Sequence, residues 1–170
     1  MLFRSPSSHC FPPGPVRLIT GAAANSGPLE IFQTPKKVTI IYEQDHSVRQ
    51  IFTDGREHPK NLDLSWNGHS TGKWEGDTLV VDTVGIREET WLDGAGHAHS
   101  DQLHVVERYR RPSQDRLEIT MTLTDPKTFT KPYTMNVTYH WRPDLEIFEN
   151  VTCDERYRKG LFFGEGPGGL

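Results

Sequence analysis

Apolar and polar residues alternate at every second position through most of the chain, most cleanly in its second half. Over Arg116–Thr124, Leu117, Ile119, Met121 and Leu123 share one face, while Glu118, Thr120, Thr122 and Thr124 share the other. That is the period of a half-buried strand. The same rhythm predicts strands over 102–110, 133–141 and 145–153, separated by turn residues around Pro112, at Asp125-Pro126 and at Arg142-Pro143-Asp144. Earlier in the chain, 38–43 and 48–53 predict a hairpin joined by Gln44-Asp45-His46-Ser47. Lys73 and Trp74, with 78–82, predict a second hairpin about Gly76, a residue free to take the positive φ of a tight turn. Consecutive strands then pair, and the fold expected is all-β: an antiparallel meander forming a lipocalin-like barrel or half-barrel.

Residues 1–27 carry Pro6, Pro12, Pro13 and Pro15 and a run of small residues, so they are expected to form an irregular N-terminal arm. Residues 28–155 are expected as a single β-barrel-like domain, and the glycine-rich 156–170 as a flexible tail. No stretch of ten or more residues has helical periodicity, and at most one short helix is expected. The one interruption of the short turns is 84–101, a connection long enough that function is the usual reason for it. It holds Trp91, Asp93, His97, His99 and Asp101.

Composition narrows the classes of function. A chain of 170 residues with 34% hydrophobic and 25% charged residues is a polar globular domain. Its formal charge of −4 argues against nucleic acid as a partner, since phosphate binding needs a basic face. No run approaches the roughly 18 apolar residues of a membrane-spanning helix, so no membrane partner is expected. The start of the chain lacks the apolar core of a signal peptide. Cys10 and Cys153 are either two unrelated thiols or a bridge tying the arm to a late strand; such a bridge would stabilise by about 4–5 kcal/mol in the chain-entropy model.

Two acids fall on apolar faces: Glu107 with Leu103, Val105 and Tyr109, and Glu149 with Leu145, Ile147 and Val151. A carboxylate turned inward must be paired or hydrogen-bonded, or it takes up a proton, and raised-pKa acids of that kind serve general acid–base catalysis. Arg49, which alternates with Ile51, is the leading ion-pair partner for Glu107; His69 and His99 are the others. His104 points to the opposite face from Glu107. His69, His97, His99 and His104 suggest acid–base chemistry oriented by Asp101 or Glu107, or, as an alternative, a zinc or copper site built on the His-x-His step. The expected catalytic residues are therefore His69, His99, Asp101, His104 and Glu107. Expected ligand contacts are Trp66, Trp74, Trp91, Arg49, Tyr109 and Glu149. Gly72-Lys73-Trp74 matches the short Gly-x-Trp of lipocalin barrels. The nucleophile elbow, Walker loop, dinucleotide fingerprint, paired Cys-x-x-Cys and His-Glu-x-x-His signatures are all missing.

The run Gly68-His69-Ser70-Thr71-Gly72-Lys73-Trp74-Glu75-Gly76-Asp77-Thr78-Leu79-Val80-Val81-Asp82-Thr83, with Trp91-Leu92-Asp93, His99-Ser100-Asp101, Leu103-His104-Val105 and Glu107-Arg108, resembles a family of secreted bacterial proteins common in soil bacteria and metagenomes. The resemblance covers about residues 10–155. It implies a periplasmic or secreted location, an oxidising compartment and hence the Cys10–Cys153 bridge. It implies no reaction, so it assigns no catalytic residue. Family members continue upstream, and a strand missing there would leave an open sheet edge for a second copy of the chain to cover as a homodimer.

The function expected from these residues is an enzyme using acid–base side chains at a barrel-mouth pocket on a small, partly apolar molecule, by hydrolysis, elimination or isomerisation, without a cofactor. The alternatives are a non-catalytic barrel that carries or senses a small molecule, and a His-rich metal-binding module.

Overall fold

A computed structural model of the chain describes residues 11–20 and 27–148. They form one eight-stranded sheet whose spatial order repeats the chain order. The strands are β1 (Leu29–Thr34), β2 (Lys37–Tyr42), β3 (Val48–Phe52), β4 (His69–Glu75), β5 (Thr78–Val84), β6 (His104–Ser113), β7 (Arg116–Thr124) and β8 (Tyr133–His140). The sheet curls into a half-barrel with β1 and β8 as its edges. The meander expected from the alternation is present with one exception. β3 and β4 run parallel and share only the register pairs Ile51↔Ser70 and Phe52↔Thr71. Parallel neighbours need a crossover of a dozen or more residues, and 53–68 supplies it.

Alternation decides what faces inward. Val38, Ile40 and Tyr42 of β2, Ile51 of β3, Leu79 and Val81 of β5, Val105 and Tyr109 of β6, and Ile119, Met121 and Leu123 of β7 are all buried in one cluster. The cluster also takes in Val16, Leu18 and Ile19 of a short helix, α1 (Gly14–Thr20). Little regular structure is expected there from the prolines. Pro15, however, sits in the first helical turn, where its missing N–H leaves no bond unmade. The helix start packs against the long 85–103 connection, for a Cβ on Gly14 would lie 2.9 Å from Thr90 Cβ. Its end is tied to β8, where the Tyr139 hydroxyl donates to Ile19 O at 2.8 Å. Apolar side chains from α1 thus fill part of the concave side that a lipocalin-like barrel would leave for ligand.

Two further expectations change. β1 has no clear alternation, because past its first residue every side chain is exposed; only a neighbour on one side holds it in the sheet. The strand expected over 145–153 is not present as far as Phe148. The chain turns at Arg142–Asp144 and leaves the β8 edge, and Phe148 N donates to Glu43 Oε2 just beyond β2. Residues 149–153, with Glu149 and Cys153, lie outside the described residues, as does Cys10. No helix among the described residues is long and apolar enough to cross a membrane.

Candidate acid–base site

Strand alternation builds two polar groups on opposite faces of the same strands. On the inner face, Glu107 of β6 is fully buried and paired with Arg49 of β3. Arg49 Nη1 donates to Glu107 Oε1 at 2.8 Å, and Nη2 donates to Oε2. The rest of the guanidinium is taken up by Ser70 Oγ of β4 at 3.2 Å and Thr83 Oγ1 of β5 at 2.7 Å. The Tyr109 hydroxyl donates to Glu107 Oε1 at 3.2 Å. Burial alone would push the Arg49 guanidinium down, but the Glu107 carboxylate holds it well above its ordinary value. Burial also raises the phenols of Tyr42 and Tyr109. Arg49 is therefore the partner that Glu107 takes. This group is saturated with its own contacts and closed to water, so neither Glu107 nor Tyr109 is placed to touch a substrate; Arg49 and Ser70 also border the cleft on this part of the sheet.

On the outer face the same alternation presents His69 and Thr71 of β4, Asp82 of β5 and His104 of β6. Over them lies His58, from the β3–β4 crossover. The Asp82 carboxylate is shared: Oδ1 meets His58 Nε2 at 3.0 Å and Oδ2 meets His104 Nε2 at 2.8 Å. His58 Nδ1 in turn meets His69 Nδ1 at 2.7 Å. The hydrogen bond from His104, followed by that from His58, outweighs partial burial and lowers the Asp82 carboxyl. Asp82 therefore stays ionised and only accepts. With both rings neutral, this fixes the tautomers. His58 carries its proton on Nε2, its Nδ1 accepts from His69 Nδ1–H, and His69 Nε2 is left as a bare lone pair. Burial, then the neighbouring His58 and Arg56, lowers His69 below the ordinary imidazole value, so the ring is a neutral base near pH 7. His104 moves the other way, raised by its hydrogen bond to Asp82.

His69 also lines an open cleft of about 450 Å³, where β3 and β4 diverge below their two-residue parallel joint. Val48, Arg49, Gln50 and Phe52 form one side and Ser65, Trp66, Asn67, Gly68 and Ser70 the other. Asn67 Nδ2 braces the gap by donating to Ser47 Oγ at 3.1 Å. Phe52 stacks on the His69 ring at 5.5 Å, and Trp66 is backed by Phe11 at 5.1 Å. Gly68 lets the chain enter β4 with a φ of +65°, where a Cβ would lie 2.6 Å from Val84 O. The cations at the rim are occupied. Arg56 is held by Asp54 and lies over the Phe52 ring, and Arg87 lies over Trp66 and pairs with Glu89 at 3.6 Å.

Of the residues expected to form one site, His69, His104, Trp66 and Arg49 come to this region, Arg49 in the lining of the cleft. Glu149 lies outside the described residues, and the remaining ones stand elsewhere. His99 is buried inside the 85–103 connection, donating through Nδ1 to Ser100 O at 2.8 Å and meeting Thr90 Oγ1 through Nε2 at 2.6 Å. Asp101 is exposed and paired with Lys127 at 2.7 Å. His97 is exposed and paired with Asp93. Trp91 packs against Gly96 within its own connection, and Trp74 is exposed at the far end of β4. The long connection is thus a structural element held by buried contacts. Its anchor is Asp125, which accepts from Ser100 N at 2.6 Å and Ser100 Oγ at 2.8 Å.

His58 and Asp82 are the members of the site that sequence reasoning missed. Asp82 sits at an ordinary outward position, and His58 lies in a crossover with no periodicity. The one available signal was the outward alternation of His69 and His104 on strands flanking Asp82. No group of three or more His, Cys, Asp or Glu among the described residues is arranged to hold a metal. No family model, curated protein or solved structure matches the chain.

Proposed function

We propose that the chain is an acid–base enzyme in which His69 Nε2 takes a proton from a small, uncharged, partly apolar molecule in the β3–β4 cleft, or from water attacking it. The observation that carries this reading is the hydrogen-bonded series Asp82–His58–His69, which ends in a bare ring nitrogen on a residue lining the cleft. A carboxylate that orients an imidazole and stabilises its cation is a recurrent way to strengthen a neutral base. Val48, Phe52 and Trp66 supply apolar walls, while Gln50, Ser65 and Asn67 supply neutral polar contacts. The nearest arginines are already paired with acids, so an uncharged substrate fits better than an anion.

A panel of neutral p-nitrophenyl esters, lactones and ketones, the last read by deuterium exchange, tests the proposal. Turnover of at least one class is expected, with a loss of about 10²–10⁴-fold in His69→Gln. Turnover that His69→Gln leaves unchanged would refute it. Probe binding without conversion would instead make the cleft a carrier site.

A further inference from the structure

Asp82 serves two imidazoles with one negative charge. Its Oδ1 meets the His58 ring that supports the base, and its Oδ2 meets His104, which has no part in the series leading to the cleft. We propose that His104 tunes the base: by holding or releasing its own proton, it decides how much of the Asp82 charge is left to stabilise a cation on the His58–His69 pair. This inference rests on the reading of His69 as the base.

Proton balance gives the mechanism. When His69 Nε2 takes a proton, the His58–His69 pair gains one positive charge and no other proton need leave. If His104 is neutral, donating through Nε2–H, the Asp82 charge is free to balance that gain through the His58 Nε2–H bond. If His104 is protonated, Asp82 is already matched, and the cation on the pair is less favoured. The base is therefore weaker when His104 is charged and stronger when it is neutral.

The surroundings leave few competitors. Among the described residues, the charged or titratable groups facing the cluster are Arg56 and His58 from the crossover, with Asp54 holding Arg56, then His69 of β4, Asp82 of β5 and His104 of β6. On β7 the residue opposite His104 is Thr124, which carries no charge. His104 is partly exposed, so it can exchange its proton with solvent while His69 is engaged with a substrate.

Nitrogen-resolved NMR titration of the histidine side chains tests this without any substrate. In the unaltered chain His69 is expected as the Nδ1–H tautomer. His104→Gln, a neutral donor, is expected to raise the His69 midpoint by about one pH unit, a tenfold gain in proton affinity. His104→Lys, a fixed cation, is expected to leave the midpoint at or below its original value. An Nδ1–H tautomer with the same midpoint in both variants would overturn the tuning role and leave the base reading standing. A His69 ring found protonated on Nε2 would overturn the base reading itself.

Discussion

Arg49 on β3 and Glu107 on β6 meet across two intervening strands, β4 and β5, and both of those strands contribute a hydroxyl to the contact. One guanidinium thereby ties four neighbouring strands together on the inner face. The tie lies where the sheet is weakest, because the parallel β3–β4 joint has only two register pairs. The cleft opens at the same joint, with Arg49 and Ser70 of the tie in its lining.

Removing one charge should therefore be costly. Glu107→Gln keeps the shape but leaves the buried Arg49 cation uncompensated, and a loss of about 3–5 kcal/mol in urea unfolding is expected. The double variant Arg49→Met with Glu107→Met removes both charges and should recover most of that loss. If Glu107→Gln unfolds at the denaturant concentration of the unaltered chain, the pair is not buried as described.

How much of this was legible follows from the range of each signal. Alternation is local, so it placed Glu107 and Arg49 inward, set the faces of β7 and put His104 opposite Glu107. It cannot say which distant strands become neighbours. The parallel β3–β4 joint, and with it the cleft, depends on where the crossover 53–68 returns, which no two-residue rhythm encodes. His58 was hidden for the same reason. Asp82 was hidden because an outward acid on a strand looks the same whether it faces water or two histidines. The helix α1 was obscured by its prolines, although one of them is compatible with a first helical turn.

Asp125 gathers four donors from two segments: Ser100 N and Oγ from the long connection, and Lys127 N and Thr128 N from its own turn. Asp125→Ala should cost about 1.5–3 kcal/mol. It should also make 85–103 the first segment cut in limited proteolysis, with the His69 titration unmoved. Cleavage starting elsewhere would show that the connection is held by other contacts.

Gly68 carries the chain into β4 immediately before His69. Its positive φ, together with the 2.6 Å approach that a Cβ would make to Val84 O, leaves no room for a side chain. Gly68→Ala should shift the β4 entry, lower stability by roughly 1–3 kcal/mol and disturb the His58–His69 contact. The tautomer of His69 measured by NMR is the check. An unchanged tautomer with unchanged stability would mean that the β4 entry has more freedom than its geometry indicates.

His69 and His104 act with opposite sign on the stability of the fold against pH. His104 is raised above 6.5 by Asp82, so its contribution is fully present below the unfolded value and is lost as pH rises through the higher folded one. His69 is lowered below 6.5 by burial and then by the neighbouring His58 and Arg56, so the unfolded chain binds that proton first, and stability falls as pH drops from about 6.5 toward the lowered value. Asp82, lowered from 3.8 by its hydrogen bonds from His104 and then His58, adds a loss only in strong acid. The buried phenols of Tyr42 and Tyr109, raised above 10.0, add one only in strong base. Between those limits the unfolding free energy should peak near the ordinary histidine value and decline on both sides. His104→Gln should flatten the alkaline limb alone, and His69→Gln the acid limb alone. Urea unfolding at half-unit steps from pH 5 to 9 reads both limbs. An alkaline limb that survives in His104→Gln would assign it to another group and remove the Asp82–His104 pair from the account.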